Sequence, residues 1–534
     1  MRRPNIILLM ADQLTVFALE NYGNRIVKAP HIATLGDNGV TFENAYCNFP
    51  ICAPSRYSML TGRLPHAIQA FDNASELSAA QPTLLHYLRR FGYSTSLSGK
   101  MHFVGPDQLH GYNERLNTDI YPADFAWVPD WKAGPRNAPT GISMRAVVEA
   151  GQCLRSLQLD YDEETAFLAK QKIFDLARDS SERPFFLTVS FSHPHSPYTA
   201  PKEHWNRYRH DDIDMPRTGP IPVEALDVHS RWLYYSHGRD RIDVTEAHVR
   251  NARHAYYAMV SYVDDKIGEL MALLKDTDLL DDSIVIFTSD HGEMLGERGM
   301  WFKQTFFESA SRVPLIVSGP GLRKGHRVTT NVSLVDLMPT ILALANDGKV
   351  DVSTAVDGND LSNLAGGATA TESGRVVSEY SDMGVCAPCR MIREGSFKYI
   401  YVHGHPPMLF DLDKDPLEHE NLSGRPESAE IEQRLHAALL SDWNPDAINE
   451  RILESQAERD LIWSVMKTTS QRDNWSYEVR KADKLRYVRG GGDQEGTVAV
   501  KGRARFPYVA PTPQSQPGAI PSDLAQAATT EAAS

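Results

Sequence analysis

The segment Ile284–His291, IVIFTSDH, is an apolar run that ends abruptly in two polar residues, Asp290 and His291. Continuous apolar runs of this length are typical of strands that are buried on both faces. Three further runs also end in polar residues: Asn5–Met10 before Asp12, Tyr93–Leu97 before Lys100 and His102, and Phe185–Ser192 before His193 and His195. A fifth run, Val313–Val317, ends instead at Gly319-Pro320-Gly321.

Helical patterns lie between these runs, most clearly over Val249–Leu274, where apolar residues recur at steps of three and four. Strands that alternate with helices predict an α/β fold with a large, mostly parallel sheet flanked by helices. Ligands of such folds bind beyond the carboxyl ends of the strands. The polar residues that follow the runs are therefore predicted to meet at one edge of the sheet.

The sequence pattern changes at about residue 375, from long alternating strands and helices to short strands joined by turns. We predict a catalytic α/β domain over 1–375 and a smaller C-terminal α+β domain over 376–470. In the second domain, short strands are predicted at Arg390–Ile392, Phe397–Val402 and Met408–Asp411, followed by a helical stretch over Ser428–Leu461. Residues 471–534 are predicted to be an extension that contacts a neighbouring subunit in a dimer or tetramer and ends in a disordered tail.

Composition excludes several classes of function. The net charge of −14 argues against nucleic-acid binding. The N-terminal apolar run is interrupted by Asp12 and is too short for a signal peptide, and no run reaches the roughly 18 apolar residues of a membrane span. Five cysteines are too few for a disulfide framework, so we expect a cytoplasmic protein.

The run Cys52-Ala53-Pro54-Ser55-Arg56 has the pattern of a helix start, because proline suits the first turn of a helix. Cys52 would then lie at a helix N-terminus, where backbone N–H groups favour an anion. Arg56 would lie one turn further along the same side. A nucleophile and a guanidinium at a helix start suit a tetrahedral oxyanion, and the alternative is a buried structural cysteine beside a proline turn.

This run, followed by Leu60-Thr61-Gly62-Arg63, resembles the signature of the type I sulfatases of the alkaline phosphatase superfamily. The resemblance implies an alkaline-phosphatase-like fold. It also implies that a formylglycine-generating enzyme oxidises Cys52 to formylglycine, whose hydrated aldehyde is the nucleophile. A second run, Cys386-Ala-Pro-Cys389-Arg390, lacks the Leu-Thr-Gly continuation and falls among predicted strands. We interpret it as an accidental repeat with two ordinary thiols.

Carboxylates and an imidazole at two strand tips can hold a divalent cation, although Asp after a strand is often only a helix cap. The resemblance implies one divalent cation, and imidazole suits Mn²⁺ better than Ca²⁺. The ion is left open among Ca²⁺, Mn²⁺ and Mg²⁺. The implied ligands are Asp12, Gln13, Cys52, Asp290 and His291.

The resemblance also implies catalytic roles. Arg56 and Lys100 are expected to bind sulfate oxygens, and His102 to take a proton from residue 52 as sulfate leaves. His195 and Lys303 are expected to bind a sulfate oxygen and to protonate the leaving alcohol. The pair His193 and His195 could instead belong to a second metal site.

The resemblance to choline sulfatases is greatest in two segments, Leu97–Trp127 and DHGEMLGERGMWFK at 290–303. Expected substrate-binding residues are Trp127, Glu379 and Trp475. Met383 and Ser476 replace acidic residues of that group, which leaves the alcohol open. We predict a sulfuric ester hydrolase that cleaves the S–O bond of a small organic sulfate. The alternatives are a phosphonate monoester or phosphodiester hydrolase, an aryl or alkyl sulfatase for another alcohol, and a catalytically silent binding protein.

Overall fold

The computed structural model describes residues 3–368, 374–468 and 475–478. Short 3-10 turns, among them Phe125–Trp127, lie in the connecting loops. The strands are β1 (Asn5–Ala11), β2 (Gly39–Tyr46), β3 (Ser94–Gly99), β4 (Glu114–Arg115), β5 (Gly151–Cys153), β6 (Phe185–Phe191), β7 (Thr199–Pro201), β8 (Ser283–Thr288), β9 (Arg312–Ser318), β10 (His326–Ser333), β11 (Arg375–Tyr380), β12 (Cys389–Glu394), β13 (Phe397–Val402) and β14 (Met408–Asp411). The α-helices are α1 (Pro30–Asp37), α2 (Cys52–Thr61), α3 (Leu84–Arg90), α4 (Arg145–Val148), α5 (Leu157–Ala177), α6 (Lys202–Trp205), α7 (Val228–Ser236), α8 (Glu246–Asp276), α9 (Glu308–Ser311), α10 (Leu337–Ala345), α11 (Ser362–Ala365), α12 (Ala429–Leu440) and α13 (Pro445–Met466).

The main sheet has eight strands in the order β10-β2-β9-β8-β1-β6-β3-β4. Strand β1 is parallel to both of its neighbours, β6 and β8, and β3 is parallel to β6 and β4. The predicted mostly parallel sheet is therefore confirmed. Strand β9 is the exception, because it runs antiparallel to β2 and β8.

The direction of β9 follows from the connection that precedes it. The described chain between β8 and β9 carries the short helix α9 and a 3-10 turn, Glu297–Gly299, but no long helix that could cross back over the sheet, as a parallel return requires. The chain instead turns at the edge where β8 ends. Strand β9 therefore starts at the edge where β1, β3, β6 and β8 end.

The four strands that carry the predicted polar tips are buried almost throughout. Alternate residues of β1 face opposite layers, as the two-residue period of a strand requires. Ile7 and Leu9 pack in a core that includes Tyr256 and Val260 of α8, while Leu8 belongs to the core on the other face with residues of α3 and α10. The predicted helix over Val249–Leu274 is confirmed within α8.

A second sheet, antiparallel and ordered β11-β12-β13-β14, forms the C-terminal part, and α12 packs on β12 and β13. The short strands predicted there are confirmed. The predicted helical stretch over Ser428–Leu461 consists of two helices, α12 and α13, because a short turn separates them. Asn444 caps α13 by accepting from the Ala447 N–H at 3.1 Å, and Pro445 occupies its first turn.

The boundary at residue 375 stays a prediction, as does the subunit contact of the extension. Only residues 475–478 of that extension are described, so the predicted tail lies outside the described residues. Among the helices that are described, none combines the length and the apolar character needed to cross a bilayer.

Candidate active site

The tips of β1, β3, β6 and β8 meet at one edge of the main sheet. The Asp12 N–H donates to the Phe191 carbonyl at 3.2 Å, and the Lys100 N–H donates to the Ser190 carbonyl at 3.0 Å. On the other side of β1, the Gln13 N–H donates to Asp290 Oδ1 at 3.1 Å. Backbone pairing thus brings residues that are far apart in the chain into one cluster.

Cys52 is the first residue of α2 and is 1% exposed. The helix has no cap from its own N-cap residue, Ile51. Instead Asn73, on a separate loop, accepts from the Ala53 N–H at 2.9 Å. The helix ends at Gly62, whose φ of 65° suits a glycine. The predicted placement of Cys52 at a helix start is confirmed.

Four buried side chains form a possible metal site: their ligand atoms all lie within 4.8 Å of one another, and they are Asp12, Cys52, Asp290 and His291. The His291 Nδ1 lies 3.1 Å from the Gly292 carbonyl, so this nitrogen carries the proton and Nε2 faces the cluster. Nε2 lies 3.7 Å from Asp12 Oδ1 and 3.8 Å from Asp290 Oδ1. Two carboxylates and an imidazole with a fixed tautomer fit a divalent cation.

Gln13, which was also predicted to be a metal ligand, has both ends of its amide engaged elsewhere. Its Oε1 accepts from Lys303 Nζ at 2.5 Å, and its Nε2 donates to Glu293. Its role as a ligand stays a prediction.

Two cations face the carboxylates of this cluster. Arg56 Nε donates to Asp290 Oδ2 at 2.8 Å, and Lys100 Nζ donates to Asp12. Burial alone would raise the pKa of Asp12, but Lys100 and Arg56 overcome it and hold this pKa below its usual range. Burial, and after it Asp12, raise the pKa of the Cys52 thiol to about 11, so the free thiol is protonated at neutral pH.

Arg56 is held in a fixed orientation. Its Nη1 donates to the Lys100 carbonyl at 2.6 Å and to Ser190 Oγ at 2.9 Å, while its buried Nη2 has no partner within the described part of the chain. A buried guanidinium donor without an acceptor is costly, and an oxygen of a bound anion can satisfy it.

His102 is fully buried and has a φ of 60°. Asp119 Oδ2 accepts from the backbone N–H groups of Met101 and His102 at 2.9 and 2.8 Å and so stabilises this conformation. Neither ring nitrogen finds a partner among the residues described. Burial, and after it Lys100, lower the pKa of His102 to about 3, so the ring is neutral and one of its nitrogens can accept a hydrogen bond.

Lys303 and His195 form a close pair. Lys303 Nζ lies 2.6 Å from His195 Nε2, and His195 Nδ1 lies 2.6 Å from the Ser196 carbonyl. The imidazole therefore donates from Nδ1, and its Nε2 accepts from the Lys303 ammonium. Burial, and after it Lys303, hold the pKa of His195 well below its ordinary value. The pair places the Lys303 ammonium in the pocket that Lys303, His195 and Cys52 line.

The alternative of a second metal site at His193 and His195 has no support in the geometry. His193 Nδ1 lies 2.6 Å from Asp162 Oδ2, which also accepts from the His193 N–H at 2.9 Å. His193 belongs to no ligand cluster among the described residues. It anchors the turn that carries His195.

A pocket of about 420 Å³ opens beside Cys52. Of the three predicted substrate-binding residues, Trp127 lines it. The structure does not bring the other two predicted substrate-binding residues to it. Glu379 accepts from the His66 N–H at 2.8 Å and pairs with Arg390 at 3.3 Å, and Trp475 packs against Phe125 with ring centroids 5.2 Å apart.

Three residues of the site were not predicted from the sequence: Tyr121, Asp119 and Asn73. Tyr121 lines the pocket, its hydroxyl lies 3.3 Å from the His195 ring nitrogens, and its ring centroid lies 4.2 Å from Lys100 Nζ. Tyr121 and Asp119 lie within the segment Leu97–Trp127, and the resemblance of that segment to choline sulfatases was a signal for both. Asn73 had no such signal in the sequence, because its role depends on contact with the start of α2, which is distant in the chain.

The second cysteine run has different surroundings. Cys386 lies in a turn and Cys389 begins β12, so neither is at a helix start. Arg390 is buried and reaches Asp442 at 2.6 Å. No metal-ligand cluster within the described residues includes either cysteine.

A model of the sulfatase family matches residues 4–347, and one of the C-terminal region of N-sulphoglucosamine sulphohydrolase matches residues 296–444. The chain is 42% identical to the choline-sulfatase of Rhizobium meliloti (strain 1021), with 91% of this chain and 96% of that protein covered. It is 28% identical to arylsulfatase K of Homo sapiens, with 90% and 91% covered.

Solved structures share the fold. The phosphonate monoester hydrolase of Agrobacterium radiobacter aligns with a TM-score of 0.67 and 25% identity, covering 84% of this chain and 96% of that one. BT4656, solved with its substrate D-glucosamine-2-N,6-O-disulfate, aligns with a TM-score of 0.65 and 23% identity over 83% and 99%. The chain belongs to the sulfatase family, within the alkaline phosphatase superfamily. It is a sulfuric ester hydrolase.

Proposed function

We propose that this enzyme hydrolyses a small sulfate ester of the choline type by cleaving its S–O bond. The observation that carries the proposal is the convergence of Arg56, Lys100 and Lys303 on the cluster around Cys52, at the floor of a pocket with aromatic walls. Three cations suit the oxygens of a sulfate group. The 42% identity to a choline-sulfatase supports the choice of substrate class.

We propose that residue 52 works as formylglycine, after oxidation of Cys52 by a formylglycine-generating enzyme. The hydrated aldehyde supplies a hydroxyl group as the nucleophile for sulfur. Asp12, Asp290 and His291 would hold one divalent cation, which would supply positive charge against the sulfate oxygens. The imidazole of His291 favours Mn²⁺ or a similar ion over Ca²⁺.

The remaining residues bind the ester and move protons. The buried Arg56 Nη2 and the Lys100 ammonium bind sulfate oxygens and offset the charge that builds on them. Lys303, paired with His195, donates a proton to the departing alcohol. The neutral ring of His102 then accepts the proton that residue 52 gives up as sulfate leaves.

The pocket restricts the alcohol to a small group. Its volume of about 420 Å³ is near the lower end of ligand pockets. Trp127 and Tyr121 present aromatic rings that attract a quaternary ammonium, and Met383 adds an apolar surface. No carboxylate lines the pocket among the described residues, so the attraction for a cation rests on the aromatic rings.

A phosphonate monoester hydrolase is the second candidate. The observation in its favour is the fold match to the Agrobacterium radiobacter enzyme, at 25% identity over 84% of this chain. A phosphonate ester, like a sulfate ester, presents a tetrahedral anion to the same cations.

The test compares product release from choline sulfate, an aryl sulfate and a phosphonate monoester at equal concentrations, with Cys52→Ala as the inactive control and Cys386→Ala as the matched active control. We expect the highest kcat/KM for choline sulfate. A higher value for the aryl sulfate would overturn the choline-type pocket, and a higher value for the phosphonate would favour the second candidate. Mass spectrometry of the peptide that contains residue 52 tests its conversion.

We further propose a cytoplasmic homo-oligomer, a dimer or tetramer. All five cysteines are free, which suits a reducing compartment. Helix α13 exposes apolar side chains, Leu461 at 66% and Val465 at 57%, which suits contact with another subunit. Light scattering would measure the mass, and a monomer would contradict this proposal.

A further inference from the structure

Helix α13 of the C-terminal part supports the walls of the substrate pocket. It packs against the turn Phe125–Trp127, which carries Trp127. Its side chains Gln456 and Arg459 are buried, and Gln456 Oε1 accepts from the Trp131 N–H at 3.2 Å. One face of a helix far along the chain thus reaches the base of the site.

Arg459 forms the strongest of these contacts. Its guanidinium donates to both oxygens of the fully buried Asp72, with Nη2 to Oδ2 at 2.6 Å and Nη1 to Oδ1. A bidentate pair of this kind fixes both the position and the orientation of a carboxylate. Asp72 Oδ1 also accepts from the Ala74 N–H at 2.9 Å and lies 3.3 Å from Ser75 Oγ. Asp72 is therefore the centre of a turn.

Asn73, the next residue in that turn, reaches the nucleophile. Its Oδ1 accepts from the Ala53 N–H at 2.9 Å, one residue after Cys52. Its own N–H donates to Asp382 Oδ2 at 3.0 Å. Asn73 also lines the pocket. A continuous chain of contacts thus runs from Arg459 through Asp72 and Asn73 to the start of α2.

We infer that Arg459 is a positioning residue for the sulfatase reaction, which acts through Asp72 to hold Asn73 against the N-terminus of α2. It touches neither the substrate nor the reacting atoms. Holding a reacting group in place is worth a large factor, since a displacement of about 1 Å can cost roughly a hundredfold in rate. The C-terminal part is thereby a working part of the active site.

The charges show why a neutral contact could not replace Arg459. Asp72 and Asp382 are both fully buried near Asn73. Arg459 is the cation that the structure pairs with Asp72, and its charge also acts on Asp382. Without it, the buried Asp72 carboxylate would lose its paired cation next to the carboxyl group of Asp382, so the turn would rearrange.

The test measures kcat and KM of the full-length enzyme for any sulfate ester that it turns over, so it does not depend on choline. Arg459→Met should lower kcat/KM on the order of tenfold to a hundredfold, mainly through kcat. Arg459→Lys keeps the charge but loses the bidentate geometry, so it should recover part of this loss. Arg451→Met is the matched control: Arg451 lies on the same helix, reaches Gln69 at 3.1 Å on the exposed side, and should leave both constants unchanged.

A double-mutant cycle with Asn73→Ala separates positioning from a loss of stability. If Arg459 acts through Asn73, the two substitutions together lower kcat by less than the product of their separate effects. A merely structural role gives independent effects that multiply, and that result would overturn the inference, as would an unchanged kcat in a folded Arg459→Met. If Arg459→Met does not fold, the same cycle with Arg459→Lys decides.

Discussion

The two cysteine runs, 52–56 and 386–390, share Cys-Ala-Pro and a final arginine but have opposite surroundings. Cys52 begins a helix and lies 3.2 Å from His291 Nε2. Cys386 lies in a turn between two antiparallel strands. Both arginines are fully buried, yet Arg56 pairs with Asp290 of the possible metal site whereas Arg390 pairs with Asp442, two residues after α12.

The difference shows that the chemistry of such a run depends on the structural elements that surround it. The first run faces the carboxyl ends of four strands, where the backbone leaves side chains free to converge. The second joins β11 to β12, whose cross-strand pairing commits its side chains to one another. We expect the first run to control turnover and the second to control only stability.

Substitution of the two cysteines should give the largest difference in kcat between the two runs. Cys52→Ala should lower kcat by at least about a thousandfold, because the nucleophile is lost. Cys386→Ala should leave kcat within about twofold, as is usual for a change outside the site. Initial rates of sulfate release from the purified variants measure both, and equal losses in the two variants would contradict the contrast.

Metal removal should give the next largest loss of activity, and metal content should separate the two runs. Dialysis against a chelator should lower activity by more than about a hundredfold, because the charge against the sulfate oxygens is lost. Mn²⁺ should restore it. Asp290→Asn should lower the bound metal measured by elemental analysis, whereas Cys389→Ala should not. Full activity of enzyme shown to be free of metal would contradict the assignment of Asp12, Asp290 and His291 as ligands.

The arginines should show a smaller effect. Arg56→Lys should lower kcat/KM by roughly tenfold to a hundredfold, because lysine cannot replace the fork that joins Asp290, the Lys100 carbonyl and the anion. Arg390→Lys should leave kcat/KM unchanged and lower the free energy of unfolding by about 1–3 kcal/mol. Kinetics and urea unfolding measure the two effects. A kinetic defect in Arg390→Lys would show that the second run also serves the site.

The last effect concerns Asp382, just before the second run. Burial, and after it Asp72, raise the pKa of Asp382 to about 8, with Arg459 opposing them. A carboxyl group whose pKa is higher in the folded chain holds its proton there while the unfolded chain releases it. Its contribution to stability is therefore full below about pH 4, declines as pH rises, and is lost above about pH 8.

The free energy of unfolding of the wild type, relative to that of Asp382→Asn, should fall by at most about 1.4 kcal/mol per pH unit between pH 5 and 8 and then level off, and the melting temperature should fall with it. Thermal unfolding followed by circular dichroism measures the difference. Parallel curves for the two proteins would mean that Asp382 does not titrate in this range.

Most of the fold could be predicted from local sequence patterns. The strands β1, β3, β6 and β8 are continuous apolar runs, and the tips that follow them meet because parallel strands end at one edge. The start of α2 could be predicted from Pro54. The direction of β9 could not, because it depends on a missing crossover helix rather than on the residues of the strand.

The site was predictable where its residues follow strands and unpredictable where they depend on tertiary partners. Glu379 is paired with Arg390 through the register of β11 and β12, and no local pattern reveals that register. Asp72 and Arg459 lie 387 positions apart in the chain. A separation of that length leaves no local signal.

The burial of Cys52 has a consequence for the order of events during synthesis. A side chain that is 1% exposed is closed to any modifying enzyme once α2 has packed, so the proposed oxidation belongs to the nascent chain. Lys303, the last in the chain of the three cations around this cluster, emerges from the ribosome 251 residues after Cys52. At about 5–20 residues per second, this leaves a window of roughly 10 to 50 seconds. Hosts that translate faster should therefore yield a smaller converted fraction of the same chain.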